Sequence, residues 1–146
     1  MSWKKGKWSM KRPTKDECLR WLIQAQDEWA DADELRKRNR HYLALFHFQQ
    51  AAEKALKAYL YMQSHSVEVF RTHSVDELGR MAAELDDDFR NVARSKKLDQ
   101  YYIPTRYPNG LPGGVPSRYY DDPEESERAM RLAKMVLDLA AEKLGQ

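Results

Sequence analysis

Apolar positions along this chain recur at intervals of three and four residues, the period of an amphipathic helix, and no stretch shows the alternation of a half-buried strand. A first helix is predicted from Thr14, a candidate N-cap with Glu17 as its capping-box partner. Leu19, Leu22, Ile23, Trp29 and Ala30 supply its apolar face, and it runs out near the charged run DADELRKRNR. A second begins by about Arg40, where Leu45, Phe48, Ala52, Ala55, Leu56, Tyr59 and Leu60 follow the i, i+3, i+4, i+7 rule closely. After a loop at SHSVEVFRTH, Ser74 and Glu77 form the S-x-x-E start of a third helix carrying Leu78, Met81, Ala82 and Leu85, which ends at the acidic run DDD. Residues 89–102 are weaker, with Val92, Leu98, Tyr101 and Tyr102 compatible with another short helix.

The pattern then breaks. IPTRYPNGLPGGVPSRYYDDP holds most of the Pro and Gly of the chain and predicts a loop of roughly twenty residues, long enough to suggest a functional role beside that of a simple connection. Helical spacing resumes at Pro123, a first-turn proline, and continues through Ala129, Leu132, Ala133, Val136, Leu137, Ala140 and Leu144 to Gly145. The expected fold is all-α: an up-and-down antiparallel bundle of four to five helices with a long Pro/Gly-rich loop before the last.

Composition narrows this picture only slightly. A chain of 146 residues is expected to form one domain, residues 14–146, behind a flexible basic arm, residues 1–13. The arm, MSWKKGKWSMKRP, is followed by no apolar run that could serve as a signal peptide or membrane span. Its Trp3, Trp8 and lysines are suited to adding affinity for nucleic acid. The formal net charge is +2, so local clusters matter more than the total. Cys18 is the single cysteine, which excludes an internal disulfide; with no Cys/His cluster at metal-ligand spacing, no metal or cofactor is expected, and a reducing, cytoplasmic setting is.

Within the second helix, Gln49, Glu53 and Lys57 stand four residues apart and so stack on one face. One reading is a solvated stripe, in which the Glu53 to Lys57 pair is worth about 0.3 kcal/mol. The preferred one is a seam at a dimer, partner or inter-helix surface, with Gln50 alongside, because Ala51, Ala52 and Ala55 permit close helix approach. In a functional version of that seam, Lys57 meets a phosphate and Gln49 bonds a base or a partner's backbone. Near the third helix, His73 precedes the N-cap and Arg71 stands two residues earlier; either they fix the loop, or they contact a phosphate beside free N–H groups. The long loop interleaves Arg106, Tyr107, Arg118, Tyr119 and Tyr120, types that pair with phosphate and stack on bases, or that anchor a protein partner. Anchoring of the loop on the bundle is the first expectation for these residues, and for Tyr102.

Taken in order, FHFQQAAEKALKAYL, THSVDEL and YYIPTRYP resemble the prokaryotic HEPN domain family, over roughly residues 14–144. The resemblance implies a helical bundle that commonly forms a homodimer, stands alone or is encoded beside a small nucleotidyltransferase, and is linked to nucleotide binding. It also implies a toxin–antitoxin-like or stress setting. Some branches of the family are metal-independent RNA-cleaving toxins, with an Arg, a gap of four to six residues, and a His late in the domain. Here the matches are early, Arg36 with His41 and Arg40 with His47, and no His follows Ser74. That departure puts the nucleotide-linked module first and a ribonuclease using Arg40 and His47 second.

Overall fold

The computed structural model describes residues 2–4, 7–9, 15–64 and 67–146. Two pieces of the arm, β1 (Ser2–Lys4) and β2 (Lys7–Ser9), pair antiparallel with Trp3 opposite Trp8, a hairpin whose three-residue strands are too short to show alternation in sequence. Thr14, the expected first N-cap, lies outside the described residues.

The body is helical, as the spacing predicts. Helix α1 (Lys15–Lys37) does not stop at its charged run but passes through it, because Asp33 pairs with Arg36 and Lys37 one turn on, at 2.8 and 3.3 Å. It ends where Asn39 takes a positive φ of 62° and Arg40 N–H reaches back to Leu35 O at 2.9 Å, a Schellman closure with Asn in the role of Gly. The turn is so short that α2 (His41–Ser64) must return antiparallel along α1. Helix α5 (Pro123–Lys143) also runs antiparallel to α1: Trp29 Nε1 donates to Met130 O at 3.0 Å, and Lys15 lies beside Gly145.

These neighbours, with α3 (Val75–Leu85), enclose α2, and fifteen of its residues are buried. A helix covered over most of its circumference buries many of its polar positions too. Ala44, Ala51, Ala52, Ala55 and Ala58 are fully covered and allow the close approach, while Leu45, Phe48, Leu56 and Leu60 fill the core around them.

The segment after α3 departs from the expected short helix. Asp87–Tyr101 is a 3₁₀ run, interrupted at Val92 (φ −110°, ψ 15°), and its buried residues Phe89, Val92, Ser95, Leu98 and Tyr101 recur every three. A period of three fits 3.0 residues per turn, so one row faces the core and two rows are left for other neighbours. The Pro/Gly-rich stretch is likewise not structureless. It holds a 3₁₀ turn (Pro108–Gly110) and a one-turn helix α4 (Pro116–Tyr119), and is fastened by buried Thr105, Pro116 and Tyr120. Thr105 Oγ1 donates to Tyr101 O, and the Tyr120 ring meets the Tyr101 ring edge-on at 6.0 Å. Loop anchoring, the first expectation for this stretch, is what Thr105 and Tyr120 provide. No helix among the described residues is long and apolar enough to cross a membrane.

Candidate functional site

The row Gln49, Glu53, Lys57 is not a solvated stripe: the three are 0%, 3% and 3% exposed. It is an inter-helix seam within one chain. Lys57 Nζ donates to Glu53 Oε2 at 2.8 Å, Gln50 Nε2 donates to Gln49 Oε1 at 2.7 Å and more weakly to Glu53 Oε1, and His73 Nδ1 reaches Glu53 Oε2 at 3.4 Å. Gln49 Nε2 donates to His73 O at 2.9 Å and to Asp99 Oδ1 at 3.3 Å. Lys57 is therefore not placed to meet an external phosphate; its ammonium is spent on Glu53. A lone ammonium or carboxylate here would carry a heavy desolvation cost, and the i, i+4 geometry of the helix supplies the compensating partner.

Asp99 organises the level above. Its carboxylate accepts from Val75 N and Asp76 N at 2.7 and 2.9 Å and from Ser74 Oγ at 3.0 Å, a negative group on the positive end of α3. Ser74 Oγ in turn accepts from Glu77 N at 3.1 Å, as the S-x-x-E spacing predicts. Glu77 does not bond back to the cap directly. Its carboxylate takes the Thr72 hydroxyl at 2.8 Å, and Thr72 Oγ1 accepts from Ser74 N at 3.1 Å. The free N–H groups expected beside His73 are consequently occupied by the chain's own side chains. Arg71, expected next to His73 as a phosphate contact, points to solvent and pairs with Glu68 at 3.3 Å.

The outer layer is aromatic and cationic. The rings of His73 and Tyr102 stack, 5.2 Å between centroids and 15° from parallel, beside a shallow hollow of about 300 Å³ lined by Thr72, His73, Ser74, Asp99 and Tyr102. Phe46 lies nearly parallel to Tyr102 at 6.3 Å. Arg106 closes the group: its guanidinium carbon sits 4.7 Å from the Phe46 and Tyr102 rings and 5.0 Å from Tyr107, while Nε donates to Tyr102 O at 2.9 Å. Tyr107 is half exposed, and the His73 side chain similarly so. Arg118, at an exposed position of α4, makes no hydrogen bond or ring contact with this group.

His47 borders the same face, edge-on to Phe46 at 5.0 Å. Its Nδ1 donates to Glu28 Oε2 at 2.8 Å, and Lys54 Nζ donates to Glu28 Oε1 at 2.6 Å. Burial pushes the Glu28 carboxyl up, but the hydrogen bonds from His47 and Lys54 outweigh it and hold the group below its usual value. Arg40 is exposed just ahead of α2, seven residues before His47. The other Arg/His match fails as a site, because His41 is buried with Nδ1 on Ser126 Oγ at 2.7 Å.

Phe46 to Glu53, Thr72 to Ser74, and Asp99 to Tyr107 thus meet at one place. Sequence reasoning finds His73, Arg106, Tyr107, Gln49, Gln50 and Glu53 of this group and misses Asp99, Phe46 and Glu28. Asp99 carries a faint signal, an acid three residues before Tyr102; Glu28, one acid among many on α1, carries none.

A bundle with these three stretches gathered on one face defines a helical module of the HEPN class. The HEPN domain family model matches residues 18–144, and the chain belongs to that family. Among solved structures it is similar to TT1696 from Thermus thermophilus, 34% identical over 87% of this chain and 98% of that one, with a TM-score of 0.75. It is also similar to ST0689, described as an archaeal HEPN homologue, 27% identical over 92% of this chain and 99% of that one, with a TM-score of 0.70. None of the curated proteins compared with it matches.

Proposed function

We propose that this HEPN domain is a nucleotide-linked binding and dimerisation module acting beside a nucleotidyltransferase partner, in a toxin–antitoxin-like or stress system, with the His73, Tyr102, Phe46 and Arg106 face as the nucleotide seat. The observation that carries it is the stack itself. Two near-parallel rings, a guanidinium beside them and a hollow at their edge match a ligand with a flat base and an anionic tail. The base stacks on the half-exposed His73 ring, which Tyr102 backs, and Arg106 turns toward the phosphate; Tyr107 extends the apolar wall. Lys57, Arg71 and Arg118 have no part in this seat. The dimer and the partner rest on family membership. Multi-angle light scattering tests the first, expected at twice the chain mass. Thermal-shift titration with ATP, GTP and AMP tests the seat: a saturable rise supports it, since ligand that binds only the folded state stabilises it. No rise with any of them removes it.

The ribonuclease reading keeps one specific support. Glu28 orients His47 as a carboxylate orients a catalytic base, and in this reading the exposed Arg40, just ahead of α2, is the cation for a phosphate. In that reading His47 takes the proton of an RNA 2′-hydroxyl while Arg40 steadies the charge on phosphorus. Cleavage of a fluorogenic RNA in EDTA by the parent protein, lost in His47→Ala, would establish it; equal rates in both would end it.

A further inference from the structure

A second hollow, of about 480 Å³, runs between the 3₁₀ segment and α5, apart from the His73 face. The two elements are antiparallel and latched at both ends. At one, Tyr101 Oη donates to Glu125 Oε2 at 2.7 Å; at the other, Lys143 Nζ meets Asp86 Oδ2 at 2.9 Å and also Asp88. Between the latches stand Arg94 and Lys97 on one wall and Arg128 and Arg131 on the other. Side chains three apart eclipse on a 3₁₀ helix, so Arg94, Lys97 and Gln100 form a row with about 6 Å between successive members. The floor is apolar: Ala129, Leu132 and Met135.

Three of the four cations lining this groove have no ion-pair partner among the described residues. Arg131 pairs with Glu127 at 2.9 Å, but among the described residues Arg94, Lys97 and Arg128 meet no carboxylate; exposed Arg38, Arg40, Lys96 and Arg118 meet none either, but none of those lines this hollow, where four cations converge. Among the described residues Glu125 is the one acid lining it, and the Tyr101 hydroxyl holds that carboxylate. Four cations lining one hollow with a single acid give it a positive potential that attracts an anion. Three of the four are guanidiniums, whose planar forks bond two oxygens of one phosphate at once.

We propose that this groove binds phosphate groups carried in series: the phosphodiester backbone of a single-stranded nucleic acid or a linear polyphosphate, which share the same oxyanion chemistry. Two facing rows grip successive phosphates, whereas a mononucleotide brings its charge to one point and leaves most of the cations unanswered. The test is fluorescence anisotropy of a labelled oligouridylate on the full chain, from about 50 to 200 mM salt, with inorganic polyphosphate and polyglutamate as competitors. Four phosphate contacts on a single strand predict a slope of log K against log salt of roughly −3, and the Arg94→Gln/Arg128→Gln variant, which removes two of them, is expected to lessen it by roughly 1.4 units. Lys97→Glu, also at an exposed position, is expected to weaken binding likewise, and Arg80→Gln, outside the groove, to leave it unchanged. Competition by polyphosphate assigns the shared chemistry; binding of only one polyanion identifies the source. No binding at low salt, equal affinity and slope in the double variant with its circular dichroism intact, or equal competition by polyglutamate overturns the proposal.

Discussion

The imidazole of His73 lies flat against the phenol ring of Tyr102, 5.2 Å away, and Arg106 donates Nε–H to the Tyr102 carbonyl while its guanidinium covers the same ring. One tyrosine therefore joins the entry of α3 to the exit of the 3₁₀ segment and holds the guanidinium of that face in place.

If this face seats a nucleotide, Arg106→Ala weakens mononucleotide binding about tenfold, corresponding to one charge-assisted contact of roughly 1.4 kcal/mol. Arg106 is exposed, so the variant should unfold at nearly the parent temperature in the absence of ligand. The check is the ligand-induced rise in Tm for the two proteins. An unchanged rise would return Arg106 to packing alone.

Asp99→Ala removes the acceptor for Val75 N, Asp76 N, Ser74 Oγ and Gln49 Nε2 in one step. Loss of a cap costs about 1 kcal/mol, and hydrogen bonds to a charged group more, so the expected loss is about 2 to 3 kcal/mol. Urea denaturation measures it, and exchange of the α3 amide hydrogens should speed up selectively. A loss below about 0.5 kcal/mol would mean that water replaces the carboxylate at no cost.

Glu53→Ala leaves the Lys57 ammonium buried with no carboxylate, for an expected loss of about 3 to 5 kcal/mol. Replacing both, as Glu53→Leu/Lys57→Met, is expected to recover most of it, because an apolar pair of similar volume avoids desolvating two charges. The two urea midpoints decide the matter: a double variant no better than the single one would show that His73 and Gln50, not Lys57, depend on Glu53.

The Glu28 carboxyl is held below its ordinary value of 4.5 in the folded protein. A depressed acid binds its proton less readily folded than unfolded, so its contribution to stability is fully present above about pH 4.5 and is lost as pH falls through the lower folded value. The stability difference between the parent and Glu28→Gln should therefore shrink as pH drops below that point. Urea melts between neutral and acid pH measure it; a difference that stayed constant would place the effect in packing rather than in ionisation.

Helix existence was legible because spacing alone carries it. Ser74 capping Glu77 N–H, the start of α5 at Pro123 and the apolar face of α2 all follow from local rules that operate over one or two turns. The 3₁₀ run was not legible as such. Phe89, Val92, Ser95, Leu98 and Tyr101 do recur every three residues, but a serine in that row hides the period from any hydrophobicity count, and Ser95 is buried only because its hydroxyl turns back to Val92 O at 2.6 Å.

What the sequence determined, then, is what neighbours within a turn set: where the long helices lie, where α3 begins, that Glu53 and Lys57 share a face, and the three stretches that mark the family. What only the tertiary structure decided is the meaning of those positions. Gln49, Glu53 and Lys57 are a polar seam rather than a wet stripe because α2 is enclosed by α1, α3 and α5. The amino end of α3 is closed because Asp99 arrives from 24 residues downstream of Val75. Local spacing fixes a side chain's direction around its own helix axis, whereas burial and bonding partners depend on which other elements pack there, and that is set by contacts between residues far apart along the chain.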